Sequence, residues 1–243
     1  MRMLTLANRN AKEILRDPLT LSFGLGFPIV LLLLLTLIQA NIPVSLFEIE
    51  YLTPGVAVFG LSFITLFSAT VIAKDRGSAL LQRLYTTPLT PLDFILGYTL
   101  PMLPIAILQS VICYLVAAFL GLPITVNILF AILITIPISA FFVMLGLLFG
   151  SILNDKQVGG ICGALLTNLS AWLSGTWFDL ELVGGVLKGI AYHLPFVHAV
   201  EMGRLALLGS GGDMLLHLWW VLGYTVVAAV AAVLLFLRQM KRQ

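Results

Sequence analysis

Six stretches of the chain are almost continuously apolar, at about residues 19–40, 52–73, 94–119, 125–153, 158–178 and 214–237. A helix rises ~1.5 Å per residue and a bilayer's hydrocarbon core is ~30 Å thick, so ~20 apolar residues suffice to cross it. The pattern therefore predicts an all-α polytopic membrane protein, one transmembrane domain with six spanning helices. Three starts carry a capping signal: Asp17-Pro18, Thr53-Pro54 and Thr90-Pro91-Leu92-Asp93. Each puts a side-chain acceptor just ahead of proline at the first helical position. In the third, Asp93 is spaced to reach back to Thr90 in a capping box. The third span is predicted to bend at Pro101 and Pro104, and Pro137 lies inside the fourth.

The segments between the blocks differ in kind. Residues 1–17 place Leu4, Ala7, Ala11, Ile14 and Leu15 at spacings of three and four, with Arg2, Arg9, Lys12, Glu13 and Arg16 between them. This predicts an amphipathic helix in the membrane interface, its basic face toward anionic headgroups. Its charged stretch is too long, and the apolar run after it too extended, for a cleaved signal peptide. Residues 179–213 are apolar but interrupted by Glu181, Gly184, Gly185, Lys188, Gly189, Glu201 and Arg204. Such lengths suit re-entrant or interfacial helices. Residues 74–93 form the third kind. From Ser78 to Thr86, a short helix would put Leu80, Leu81 and Leu84 on one side and Gln82 and Arg83 on the other, with Pro88 and Pro91 to stop it. The product is a short, rigid, amphipathic lever tied to spans two and three.

Composition agrees with the pattern. The chain is 60% hydrophobic and 10% charged, with a mean hydropathy of +1.08, against roughly 25% charged residues in soluble domains. The formal charge of +2 matters less than its placement. Arg2, Arg9, Lys12 and Arg16 precede span one, and Lys74, Arg76 and Arg83 follow span two. Lys156 follows span four, and Arg238, Lys241 and Arg242 end the chain. These are 11 of the 13 basic residues, and only Lys188 and Arg204 fall on the other side. The positive-inside rule then places both termini and the 74–93 loop in the cytoplasm of a multi-pass cell-membrane protein. Tyr51, Trp177, Trp219 and Trp220 fall near the outer boundary, as an aromatic belt would. Cys113 and Cys162 both lie in apolar blocks, which argues against a structural disulfide.

No charged residue lies inside a span core, so the carboxylate or base that ion-coupled carriers use is missing. No GxxxxGK[ST] loop cradles a nucleotide phosphate. Energy for active transport must then come from another chain, through the cytoplasmic surface. Nothing points to nucleic acid. His198 and Glu201 share a helical spacing, with His193 and His217 nearby, but two ligands fall short of the three or four a metal needs. These residues read as polar anchors, and no metal is expected. Ser62, Thr65, Ser68 and Thr70 in span two, and Thr167, Asn168, Ser170 and Ser174 in span five, line a pathway or glue helices together. Gly146 and Gly150, and Gly159 and Gly163, have GxxxG spacing for close helix approach.

At this point a resemblance enters. RLYTTPLTPLDFILGYTL resembles the first cytoplasmic loop of ABC-2-type transporter permeases, and RDPLTLSFGLGFPIVLLLL their interface helix and first span. Gly175, Trp177, Phe178, Pro195, Ala199 and Arg204 match the family's Gly-x-Trp-Phe element and Pro-x-x-x-Ala-x-x-x-x-Arg pattern. The loop departs from the commonest form: Ser78-Ala79-Leu80-Leu81 follows Gly77, and Thr87-Pro88 lies further on. The resemblance implies the permease subunit of an ATP-driven exporter for an amphiphile, drug, peptide or glycan or lipid precursor. It implies a homodimer, or a pair with a related permease, in contact with membrane lipid. ATP and magnesium would sit on a separate ATP-binding subunit, so this chain would be neither an ATPase nor the holder of a cofactor. Contact with that subunit would fall to Arg9, Lys12, Arg16, Asp75, Leu80, Leu81, Leu84, Tyr85, Thr86, Thr87 and Pro88. The pathway, between spans one, two and five of two protomers, would include Ser62, Thr65, Thr167 and Asn168. Trp177, Phe178, Pro195, Glu201 and Arg204 would gate it on the outer side. The reading from another class is a membrane scaffold or immunity factor that transports nothing.

Overall fold

The computed structural model describes residues 2–18, 22–78 and 90–240. Among them every regular element is helical. The elements are α1 (Arg2–Leu15), a π-helical turn (Ser22–Gly26) that runs into α2 (Phe27–Gln39), α3 (Ile49–Gly77), α4 (Pro91–Thr99), α5 (Met102–Phe119) and α6 (Val126–Ile152). Then follow α7 (Asp155–Val158), a second π-helical run (Gly159–Leu166), α8 (Thr167–Trp172), α9 (Leu180–Val183), α10 (Gly185–His193), α11 (Pro195–Leu208) and α12 (Gly211–Met240).

Among the described residues, five helical stretches are long and apolar enough to cross a membrane: Ser22–Gln39, Ile49–Gly77, Pro91–Phe119, Val126–Ile152 and Gly211–Arg238. The segment expected as the fifth of six spans is helical from Asp155 to Trp172 but divided by its π-helical run. The third span is interrupted at Leu100 and Pro101, the latter one of the two prolines expected to bend it, while Pro104 lies within α5.

α3 is the axle of the bundle. Its most apolar window is 89% buried, against 17–39% for the other four spans. It packs on α2, α5, α6, α11 and the 155–172 segment. Small residues set the closest contact. A methyl on Gly146 of α6 would fall 2.5 Å from Ser68 Cβ, and one on Gly150 would fall 2.8 Å from Ile72 Cβ. Both glycines are needed for α6 to lie this close to α3. The second GxxxG pair does no such work, since Gly159 has open space around its α-carbon.

Two expectations shift. α3 begins at Ile49, not at Thr53-Pro54, and Pro54 lies inside it. The Thr53 hydroxyl donates back to the Ile49 carbonyl instead of capping. α1 buries Leu6, Ala7, Asn10 and Ile14, while Leu4 and Leu15 of the expected apolar stripe are exposed. The stripe rotates because Asn10 has a partner inside the protein, the Gly97 carbonyl.

Candidate coupling site

The first cluster lies where α3 ends and α4 begins, on either side of residues 79–89. Thr90 caps α4 as its spacing predicts. Its hydroxyl accepts from Asp93 N, and the Asp93 carboxylate accepts from Thr90 N at 2.9 Å. α1 lies against α4. Asn10 Nδ2 donates to the Gly97 carbonyl at 2.9 Å, and a methyl on Gly97 would fall 2.6 Å from Leu6 Cδ2. Asn10 is fully buried, so this bond satisfies a group that would otherwise cost ~1–3 kcal/mol.

Arg9, one residue earlier, turns inward as well. Its guanidinium makes a two-pronged pair with Asp75: Nη2 lies 2.9 Å from Oδ1, and Nη1 donates to Oδ2. Glu13 Oε2 lies 2.8 Å from the same guanidinium, and Asn10 Oδ1 accepts from it at 2.8 Å. Tyr98 of α4 donates its hydroxyl to Asp75 Oδ2 at 2.9 Å. Asp75 is 3% exposed. Burial pulls the Arg9 pKa down, but the hydrogen bond and charge of Asp75, then the charge of Glu13, more than offset this, so it ends above its ordinary value. The planar fork of arginine fits the carboxylate in a way lysine does not.

The next residue on α3 makes a second tie. Arg76 Nη1 donates to the Gly150 carbonyl at 2.7 Å and to the Leu153 carbonyl at 3.3 Å, closing the C-terminal end of α6. The base of the 79–89 segment is thus fastened to α1, α4 and α6 by two adjacent side chains of α3.

The sequence-derived contact residues divide accordingly. Arg9 and Asp75 meet each other. Lys12 on α1 and Arg16 just after it are exposed. Leu80, Leu81, Leu84, Tyr85, Thr86, Thr87 and Pro88 lie outside the described residues.

Of the pathway residues, Ser62 is buried and donates to the Phe59 carbonyl, and Thr65 is buried and donates across to the Phe142 carbonyl of α6 at 2.7 Å. Thr167 donates to the Cys162 carbonyl. Asn168 donates to the Ala164 carbonyl and is exposed beside Leu165, Leu169 and Trp172. Ser62, Thr65 and Thr167 are thus committed to backbone, which favours glue over lining. An aromatic row went unread in the sequence. Phe59, Phe63 and Phe67 stand four residues apart on α3, Trp177 closes one end at 5.5 Å from Phe59, and Phe23 and Phe27 lie against Phe63 at 6.2 and 5.8 Å. The i, i+4 phenylalanine spacing was its signal.

At the far end of α3, Arg204 of α11 joins one other residue expected in the gate, Glu201, to the Gly175 turn and to Tyr51. It is 5% exposed. Nη1 pairs with Glu201 at 2.7 Å, Nη2 donates to the Gly175 carbonyl at 2.8 Å and Nε to the Tyr51 carbonyl at 3.3 Å. The guanidinium carbon lies 3.3 Å from the centre of the Tyr51 ring. Gly175 has a φ of +70°, which only glycine adopts without strain, so the turn leading to Trp177 is built around this contact. Pro195 is buried at the first position of α11, and Phe178 is 37% exposed.

A model of the ABC-2 type transporter family matches residues 1–208. The chain belongs to this family. No curated protein matches the chain. As an ABC-2 membrane domain, it is a multi-pass membrane transport protein of a family without its own ATPase site, which generally pairs with an ATP-binding subunit. In this ABC-2 chain, the Arg9–Asp75 pair, with its carboxylate buried and its guanidinium partly exposed, lies at the end of α3, where Tyr98 of α4 also reaches Asp75. Both Cys113 and Cys162 are buried free thiols, as their apolar settings suggested.

Proposed function

We propose that this chain is the permease subunit of an ATP-driven exporter, fed by force that a separate ATP-binding subunit applies to residues 79–89. The observation that carries this reading is the fastening of Asp75 to Arg9 and Tyr98, with Arg76 fastened to the end of α6. A push on the loop then moves α1, α3, α4 and α6 together, because no soft joint separates the loop base from them. Asp75 acts inside the chain, as a positioning residue. Docking falls to the exposed Lys12 and Arg16 and to Leu80, Leu81, Leu84, Tyr85, Thr86, Thr87 and Pro88.

On this reading the chain is a single membrane domain with six spans, the 155–172 segment completing the set, and both termini lie in the cytoplasm of the cell membrane. α1 is the interface helix, and α9 to α11 form the outer re-entrant segment. Two copies, or this chain and a related permease, enclose a route for an amphiphile, drug, peptide or glycan or lipid precursor. Phe23, Phe27 and the exposed Asn168 face it, and the Trp177–Arg204 turn closes it. ATP and magnesium stay on the partner.

The test is purification from the native membrane with a tag on this chain. A P-loop subunit should co-purify, and its ATP hydrolysis should respond to the permease. Replacing Leu84 to Pro88 by Gly-Ser should abolish that response. A well-folded chain that isolates with no P-loop subunit would establish the scaffold reading instead.

A further inference from the structure

The histidines that the transport reading leaves unused meet in space. His198 of α11 and His217 of α12 face each other with Nδ1 atoms 2.7 Å apart. His198 Nε2 lies 3.0 Å from the Tyr192 carbonyl at the end of α10. Trp220 stacks on the His198 ring, 5.0 Å between centres and 10° between planes. One side-chain pair therefore joins three elements: α10, α11 and the last spanning helix.

The partners fix the protons. A carbonyl only accepts, so His198 carries its hydrogen on Nε2, and its Nδ1 is a bare acceptor. His217 must then donate from Nδ1, which leaves its Nε2 as the basic site. A first proton on His217 Nε2 keeps this geometry and makes the bond charge-assisted. A second proton, on His198 Nδ1, sets N–H against N–H and puts two charges side by side. The pair has three states, and only the third breaks it.

The surroundings decide where the third state falls. Glu201 is one turn along α11 and is engaged by Arg204. Asp213 is one turn before His217 on α12, and Tyr192 and His193 close the side toward α10. α6, which packs on both α11 and α12, brings no titratable side chain, and the end of α3 beside α11 brings Glu50 and Tyr51. His198 is pushed below its ordinary pKa chiefly by burial. The Tyr192 carbonyl opposes this, His217 adds to it, and Glu201 opposes it. With a depressed pKa, the stabilisation is complete above the unfolded value of 6.5 and is lost as pH falls through the lower folded value.

We infer that His198 and His217 form a two-proton site that latches α10 and α11 to the last span when neutral or singly protonated, and releases them when doubly protonated. The site is a proton site: three of the four ring nitrogens are spent on each other and on a carbonyl, and His217 Nε2 is left to take the first proton. The latch stands independently of the coupling site, which lies at the other end of α3.

The test is hydrogen exchange of the full chain in lipid nanodiscs between pH 7.5 and 5, corrected for intrinsic rates. Protection of residues 185–194 should fall about tenfold or more in acid, the loss of a bond and the gain of a repulsion. His217→Gln donates the same bond without taking a proton, and should hold its protection across the range. Nitrogen NMR of the imidazoles checks the same point without a variant: His198 should show an Nε2–H tautomer, and the pair should titrate in two separated steps. Equal wild-type protection at both ends of the range, or both rings titrating together near 6.5, would overturn the latch.

Discussion

Arg9 and Arg204 stand at opposite ends of α3, and each ties another part of the chain to it, but by different chemistry. Arg9 is partly open to solvent and spends itself on a carboxylate, with charge against charge. Arg204 is buried and spends itself mostly on backbone carbonyls and an aromatic face, with Glu201 for its charge. The Arg9 end is a joint between two regular helices, each of which would persist without it. The Arg204 end holds a turn with no regular helix of its own, and without the guanidinium the Gly175 carbonyl loses the donor that ties this turn to α11. On the proposed coupling reading, the contrast gives Arg204 a structural role and Arg9 a transmitting one.

The largest effect should come from breaking the buried end. Arg204→Met should cost about 3–5 kcal/mol, because it strands Glu201 and the Gly175 carbonyl. Thermal unfolding in detergent should show it, and Arg204→Lys should recover little because lysine has no fork. Asp75→Asn should cost less, about 1.5–3 kcal/mol, since Arg9 keeps Glu13 and partial contact with water. It should nevertheless uncouple the partner's ATP hydrolysis, whereas Arg204→Lys changes fold before coupling. Gly97→Ala sharpens the same joint from the other side. Its methyl must displace Leu6, at about 1–3 kcal/mol, and protease cleavage of α1 should accelerate. The smallest effect belongs to Thr90→Ala, about 1 kcal/mol from loss of the cap, read as faster amide exchange in the first turn of α4.

What the sequence disclosed was local in origin. Thr90-Pro91-Leu92-Asp93 announced its own capping box, Pro101 its break, and Gly146 with Gly150 their close packing. In each case the cause lies within a few residues. What it withheld was pairing over distance. Arg9 finds Asp75 across 66 positions and Asn10 finds Gly97 across 87, and nothing local distinguishes an inward arginine from one facing headgroups. That is why the stripe on α1 was read one position off. The His198–His217 contact fails to show for the same reason: the helical spacing to Glu201 drew attention, while the partner came from the next helix. The 155–172 segment misled differently. Its apolar content suggested a plain span, yet it carries a π-helical run, Gly159–Leu166, and the Thr167 hydroxyl just after the run donates back to the Cys162 carbonyl within it.

The most direct test of the account is a double-mutant cycle on Arg9 and Asp75, with the partner subunit's ATP hydrolysis as the readout. Arg9→Met, Asp75→Asn and the pair together should each lose coupling to the same extent, because either change opens the same joint. Losses that add, with the double variant falling by the product of the two singles, would mean that the residues act separately on the partner and that the joint transmits nothing.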